Sequence, residues 1–289
     1  LLIEPFVFLA LSAALSFTCA DIFARKGLQY ANHFVGATIT LVGELLFFVP
    51  LVFLLSPSFP EMGAHYLWVM IGGLCNPGLF LIFFLIGIHR IGVARAAPIK
   101  GMSPIFAALF ALIFLGEDPA WYHLVGVLFV VGGIVLLVSG KTEGRWSRWD
   151  ARWPLIAAII SGFGAMSWKK GLVAFPSALP AAMVGASAAL VLVGAYTCYA
   201  LREEEAGDVK QAFWPYLLGG VAAGMGIFLF TSSLQLSEVF RVVPLVQISP
   251  LFTVLFSVIF LRKAEFITWR VPAGATLTVS GVILVVLRV

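Results

Sequence analysis

Charge is what this sequence has least of. Only 11% of its 289 residues are Asp, Glu, Lys or Arg, where a soluble domain carries about 25%. With 61% hydrophobic residues and a mean hydropathy of +1.05, no soluble fold of this size could bury its apolar surface. The three cysteines, Cys19, Cys75 and Cys198, lie in apolar stretches with no CxxC pair and no metal-ligand spacing, and read as packing residues. His33, His65, His89 and His123 fall at the ends of apolar runs, with no HExxH spacing and no nucleophile beside a base. An intramembrane enzyme needs such clusters, so catalysis, a metal and a cofactor are all expected to be absent. A channel calls for rings of charge or a carbonyl filter, which the sequence does not suggest. The net charge of +4 and pI near 9.1 come from basic residues in short loops rather than a continuous patch, which speaks against nucleic acid. Leu1 to Ser16 lacks the basic start of a signal peptide, and a targeting segment upstream of Leu1 stays open.

What is there instead is a succession of apolar runs. A hydrocarbon core about 30 Å thick needs about 20 helical residues. Ten such runs are predicted near 5–27, 34–56, 66–88, 93–115, 121–139, 154–175, 178–201, 213–235, 239–261 and 267–287. They are separated by turns or polar runs that lipid would not accept: Ser56 to Pro60, Gly116-Glu117-Asp118-Pro119, Lys141 to Arg152, and Arg202 to Glu205. The fold class is an all-α, multi-pass integral membrane protein.

The order of matches along the chain reveals a duplication. Ala24-Arg25-Lys26-Gly27-Leu28 returns 144 residues later as Trp168-Lys169-Lys170-Gly171-Leu172. Arg95-Ala96-Ala97-Pro98 and Ser103-Pro104 return 146 residues later as Arg241-Val242-Val243-Pro244 and Ser249-Pro250, and Ile113-Phe114-Leu115 returns as Ile259-Phe260-Leu261. Trp121 and Gly126 match Trp269 and Gly274. The chain therefore divides into a five-helix unit over 1–140 and a second over 153–289. Five is odd, so the second unit must cross the membrane in the opposite orientation. Inverted repeats place a binding site near the midplane and let one packed unit rock against another.

These features resemble the drug/metabolite transporter superfamily, in particular its EamA-type ten-helix members. The resemblance rests on the Lys-Gly ends of helices one and six, the Ala-Pro and Ser-Pro pattern of helix four, and Phe114-Leu115-Gly116-Glu117 followed by Gly126 and Gly132-Gly133. The second copy departs where Arg262-Lys263 replaces Gly116-Glu117. The resemblance implies a secondary transporter, in the direction of export, for small metabolites such as amino acids or related amphiphiles. It implies a bacterial inner membrane as the setting. The expected partners are a small-molecule substrate and the lipid bilayer, with the chain as a monomer or homodimer. Lys100 to Phe106 also looks like the lysine-to-proline stretch of organophosphate/phosphate antiporters, where the lysine binds phosphate. The acidic residue before the proline is missing, and Arg241-Val242 supplies one charge where those antiporters use a basic pair.

Residues that the two copies do not share are the candidates for substrate chemistry. At 1.5 Å per residue, Glu44 and Asn76 lie within about 2 Å of the centres of their helices, Gln247 about 5 Å away and Lys100 about 6 Å away. An ionisable group at that depth costs roughly 2.5 to 3.5 kcal/mol unless it is paired or hydrated. Glu44 and Lys100 should therefore face the cavity or each other, and a buried ion pair between them is the structural alternative. Glu44, Asn76, Lys100, Ser103 and Gln247 form the expected substrate site, with Glu44 and Asp21 as coupling candidates. Asp21 and Arg25 are also spaced to pair on one helix face, and Ser103 could bond its own backbone instead. Arg95 and Arg241 sit where long side chains can snorkel to the headgroups. Pro98, Pro104, Pro244 and Pro250 free the carbonyls of Ala94, Lys100, Phe240 and Val246 and are expected to kink helices four and nine. Gly72, Gly73 and Gly78 on helix three, Gly185 on helix seven, and Gly219, Gly220, Gly224 and Gly226 on helix eight read as close-packing positions.

Orientation has two opposed readings. Arg25, Lys26, Arg90, Lys141, Arg145, Arg148, Arg152, Arg202, Lys210, Arg262, Lys263 and Arg270 follow odd-numbered helices, which puts both termini outside. The family resemblance puts them in the cytoplasm.

Overall fold

The structure, a computed structural model, describes residues 4–55, 58–138, 148–252, 256 and 269–287. The fold is all-α and membrane-spanning, with ten helices. The first half holds α1 (Pro5–Gly27), α2 (His33–Leu55), α3 (Ala64–Ile91), α4 in two segments (Val93–Lys100 and Ser103–Leu115) and α5 (Trp121–Val138). The second holds α6 (Arg152–Leu172), α7 (Ala178–Ala200), α8 (Val209–Leu236), α9 (Val239–Phe252, broken after Val246) and α10 (Arg270–Val286). Most of the Lys141 to Arg152 linker, Ile259-Phe260-Leu261, Arg262-Lys263 and Arg288 lie outside the described residues.

The packing is reciprocal between the halves. Gly27 at the end of α1 lies against Tyr216 near the start of α8, and the matched Gly171 at the end of α6 lies against Val69 and His65 near the start of α3. Every major contact follows this exchange: α1 on α8 and α6 on α3, α2 on α8 and α7 on α3, α4 on α6 and α9 on α1. Three further contacts, α2 on α7, α4 on α9 and α5 on α10, map onto themselves. The ends of the helices fix the relative direction of the halves. Ser233 in the last turn of α8 donates to the Phe6 carbonyl in the first turn of α1 (2.8 Å). Lys169, at the end of α6, donates to the Leu234 carbonyl in that same last turn of α8 (2.6 Å). Thus α6 ends where α1 begins, and the repeats are inverted.

Lipid tails are as apolar as leucine, so packing between these helices depends on close backbone approach. A Cβ on Gly73 would collide with the backbone of Gly185, and one on Gly220 would collide with Thr40 and Gly43. In the fifth and tenth helices, Gly126 meets Gly281, and Gly133 meets Gly274 and Thr278. The helix-five glycines thus join the two halves. Phe8, Phe53, Leu54 and Val191 point outward, each more than two-thirds exposed, and form part of the lipid-facing surface. Gly73→Ala is expected to lose about 1–3 kcal/mol of stability, because backbone cannot yield to the new methyl. Gly194→Ala, with no atom within 4 Å of its Cβ position, should leave stability unchanged or raised. Thermal unfolding of both variants in detergent checks the pair.

Candidate functional site

Three interruptions in the helices open the middle of the molecule. The helical segments of α4 stop at Gly101-Met102 and those of α9 at Gln247-Ile248, positions that the 146-residue repeat places in register. Pro98 and Pro244 lie within the segments before these breaks, and Pro104 and Pro250 within the first turn after them, where the missing N–H has no partner to lose. The sequence suggests kinks, and at both places the α-helical pattern lapses for two residues while Gly101 and Met102 keep right-handed dihedrals. In α3, residues Leu74–Leu79 form a π-helical turn, with Asn76 in an extended conformation (φ −143°, ψ 107°). α8, the repeat counterpart of α3, runs unbroken from Val209 to Leu236.

A cavity of about 450 Å³ lies against these breaks, a size that suits a small molecule. Its floor is Ala165, Trp168, Phe230 and Val243, and from there it reaches the helix ends at Leu28, His33 and Ile88. Phe17, Phe80, Phe84 and Ile227 give it mainly apolar walls, on which Asp21, Glu44, Asn76, Lys100, Ser161 and Gln247 supply polar points.

Lys100 and Glu44 both face the cavity and do not pair with each other. Lys100 Nζ lies 5.2 Å from the centre of the Phe80 ring and 5.4 Å from that of Phe84, two stacked rings one helical turn apart. Such cation–π contacts hold an ammonium without neutralising it. Glu44 is 3% exposed, and its Oε2 has no hydrogen-bond partner. Asp21 lines the cavity on α1, and no ion pair within 4.0 Å joins it to Arg25 or Lys100, so the expected pairing along the helix face is not formed. Asn76 Nδ2 donates to Ser161 Oγ (3.2 Å), while its carbonyl accepts from Trp168 Nε1 (3.3 Å), tying the α3 break to α6. Gln247 Nε2 donates to Ser103 Oγ (2.7 Å), tying the α9 break to α4. Ser103 is 1% exposed and stands behind Gln247 rather than on the wall, so it positions that amide. Phe80, Phe84 and Ser161 were not picked out in the sequence, where nothing marks one face of an apolar helix above another.

The opposite end of the molecule is sealed. Below the cavity floor, Phe6, Val7, Leu172, Phe175, Leu234, Val239 and Val242 form a continuous apolar plug. A layer of polar groups covers it. Both Glu117 oxygens accept from the first turn of α9, from Val239 N (2.8 Å) and Phe240 N (3.3 Å). Burial pushes the Glu117 carboxyl up from its ordinary range, partly offset by those two N–H groups and by Lys169. Lys169 Nζ donates to the carbonyls of Leu234 and Ser237 (2.6 and 2.9 Å), closing the end of α8. Arg241 does not snorkel to the headgroups. It is 4% exposed, lies 3.7 Å from Glu238 and 4.0 Å from Glu4, and donates to the Val285 and Val286 carbonyls.

Comparison with known proteins gives the chain its relatives. The sequence model of the EamA-like transporter family matches it twice, over residues 5–139 and 149–287. An uncharacterized transporter of Archaeoglobus fulgidus is 21% identical over 97% of this chain and 98% of its own length. A segment of 73 residues, 25% of the chain and 65% of the other protein, is 32% identical to a "Probable 4-amino-4-deoxy-L-arabinose-phosphoundecaprenol flippase subunit" of Escherichia fergusonii. A segment of 80 residues, 28% of the chain and 19% of the other protein, is 28% identical to phosphoenolpyruvate/phosphate translocator 1 of Oryza sativa. A solved crystal structure superposes with a TM-score of 0.80 at 16% identity, covering 96% of this chain and 95% of its own, a likeness of fold.

Proposed function

This chain belongs to the EamA-like transporter family, and we propose that it is a secondary transporter that exports small zwitterionic or amphiphilic metabolites, amino acids foremost, by alternating access. The observation that carries this reading is a cavity that, among the described residues, reaches the helix ends at Leu28, His33 and Ile88 and is closed at the other end by the apolar plug, with an ammonium and two carboxylates on apolar walls and no ion pair within 4.0 Å between them. A substrate carboxylate would displace ring faces from around Lys100 at little cost, since no anion has to leave first. A substrate ammonium would meet Asp21 or Glu44, and the Phe17, Phe80 and Phe84 rings would take an apolar side chain. The setting in this reading is a bacterial inner membrane, and the working unit a monomer or homodimer.

An organophosphate antiporter is the second reading, favoured by Lys100 and by the segment similar to the phosphoenolpyruvate/phosphate translocator. Two carboxylates share the cavity with that one lysine, an unfavourable field for a dianion. Counterflow in sealed liposomes separates the readings. Vesicles preloaded with unlabelled amino acids should take up labelled amino acid against its gradient, which neither a channel nor an enzyme would do. Uptake that follows preloaded phosphate or phosphoenolpyruvate instead would replace the amino-acid reading with the antiporter.

A further inference from the structure

We infer that Glu117 is a latch across the sealed end, holding the first half of the chain to the second while the cavity is open at the mouth. The inference rests on the alternating-access reading, because only a protein that opens at both ends has use for a releasable seal. Glu117 follows the last turn of α4, yet its carboxylate is spent on the other half, capping the two leading N–H groups of α9. A helix has orphan N–H groups at its start, and a carboxylate there is favoured by both hydrogen bonding and the helix dipole. Lys169 bonds two carbonyls at the end of α8, next in sequence to that same helix start, so the α8–α9 corner is gripped from both sides. Opening the sealed end would draw the α4–α5 loop away from this corner. Water could then replace Glu117 at the amides, so the contact can be broken and remade.

The latch is one-sided in the sequence. At the positions that the repeat matches to Glu117 and Glu238, the other copy carries Lys263 and Gly92. A basic side chain cannot accept from backbone N–H groups. The end with carboxylates is therefore favoured to be shut, and the structure is closed there.

The test is electron–electron distance measurement on the full chain in nanodiscs. Spin labels are placed at Asp118 and Leu236, both on the surface of the sealed end, in a background whose three cysteines are replaced. The parent should give mainly one short distance. Glu117→Ala should raise the ratio of long to short distances about fivefold, the effect of losing one helix cap. A distribution that superimposes on the parent's would overturn the latch. Should Glu117→Ala not fold, Glu117→Gln, which keeps one acceptor, should still shift the ratio about twofold, and an unchanged distribution there overturns it equally. These distances do not depend on any substrate. A shifted ratio without amino-acid counterflow would leave the latch and remove the proposed cargo, whereas counterflow with an unshifted ratio would do the reverse.

Discussion

Replacing Lys100 by Met should weaken binding of carboxylate-bearing substrates by about 10- to 100-fold, the value of a charge-assisted hydrogen bond. The protein itself should stay folded. Among the described residues no carboxylate lies within 4.0 Å of Lys100, and Asp21, the acid that feels its charge, is exposed on the cavity wall where water can take the place of that attraction. The thioether can lie against the stacked Phe80 and Phe84 rings that the ammonium now faces, a contact sulfur makes favourably. Isothermal titration on a monodisperse variant gives the answer. Unchanged affinity would remove Lys100 from the site, and an aggregated variant would assign it to the structure. Substrates without a carboxylate should be affected by less than about threefold, since they never used the charge.

If the proposed transport is coupled to protons, Glu44→Gln is expected to separate uptake driven by a pH gradient from substrate exchange. Uptake driven by a pH gradient should fall at least about tenfold, while substrate exchange at equal pH stays within about threefold. The reason lies in the position of this carboxyl. It is the most buried acidic side chain of the cavity wall, with one oxygen that bonds nothing. Intramembrane acids of this kind are where proton-coupled carriers take up and release a proton. The amide has the same shape and cannot do so. Equal loss of both activities would make Glu44 a substrate contact alone, and unaltered pH dependence would remove it from coupling.

The sequence made some of this legible and hid the rest for a physical reason. Helix number, the duplication and the glycine contacts could all be read, because length, order and the absence of a side chain are local properties. Which way each helix faces could not. In a soluble helix the buried stripe is the apolar one, but Phe8 faces outward while Phe6 is buried, and nothing in their chemistry tells them apart. The cavity contribution of Phe80 and Phe84 was hidden in the same way. Glu44, Asn76, Lys100 and Gln247 were visible because a polar group in lipid must have a reason. Arg241 was misjudged because its partners Glu4 and Glu238 come together only when α1 meets α9. Glu117 read as part of a loop motif, and its bonds to α9 cross 122 positions of sequence. The sequence names Ser103 as a site hydroxyl or one that bonds its own backbone; instead it accepts from Gln247, a partner 144 positions away.

The loops at the mouth have a mechanical consequence. Tyr30 to Asn32, between α1 and α2, is fastened to Glu205 to Asp208, between α7 and α8. Asp208 N bonds the Tyr30 carbonyl (2.8 Å), Asn32 N bonds that of Ala206 (3.1 Å), and Asn32 Nδ2 bonds that of Glu205 (2.8 Å). Tyr216, from α8, adds its hydroxyl to the Ala31 carbonyl (3.2 Å). One jaw of the mouth is thus riveted from parts of both gene copies. The facing jaw, where α3 turns into α4 at Gly92, has a glycine at φ 78° with no atom within 4 Å of its Cβ position. The pieces that move as levers therefore need not be the pieces that were duplicated. In the alternating-access reading, closure of the mouth would swing the α3–α4 elbow toward a composite jaw that ancestry split between two halves.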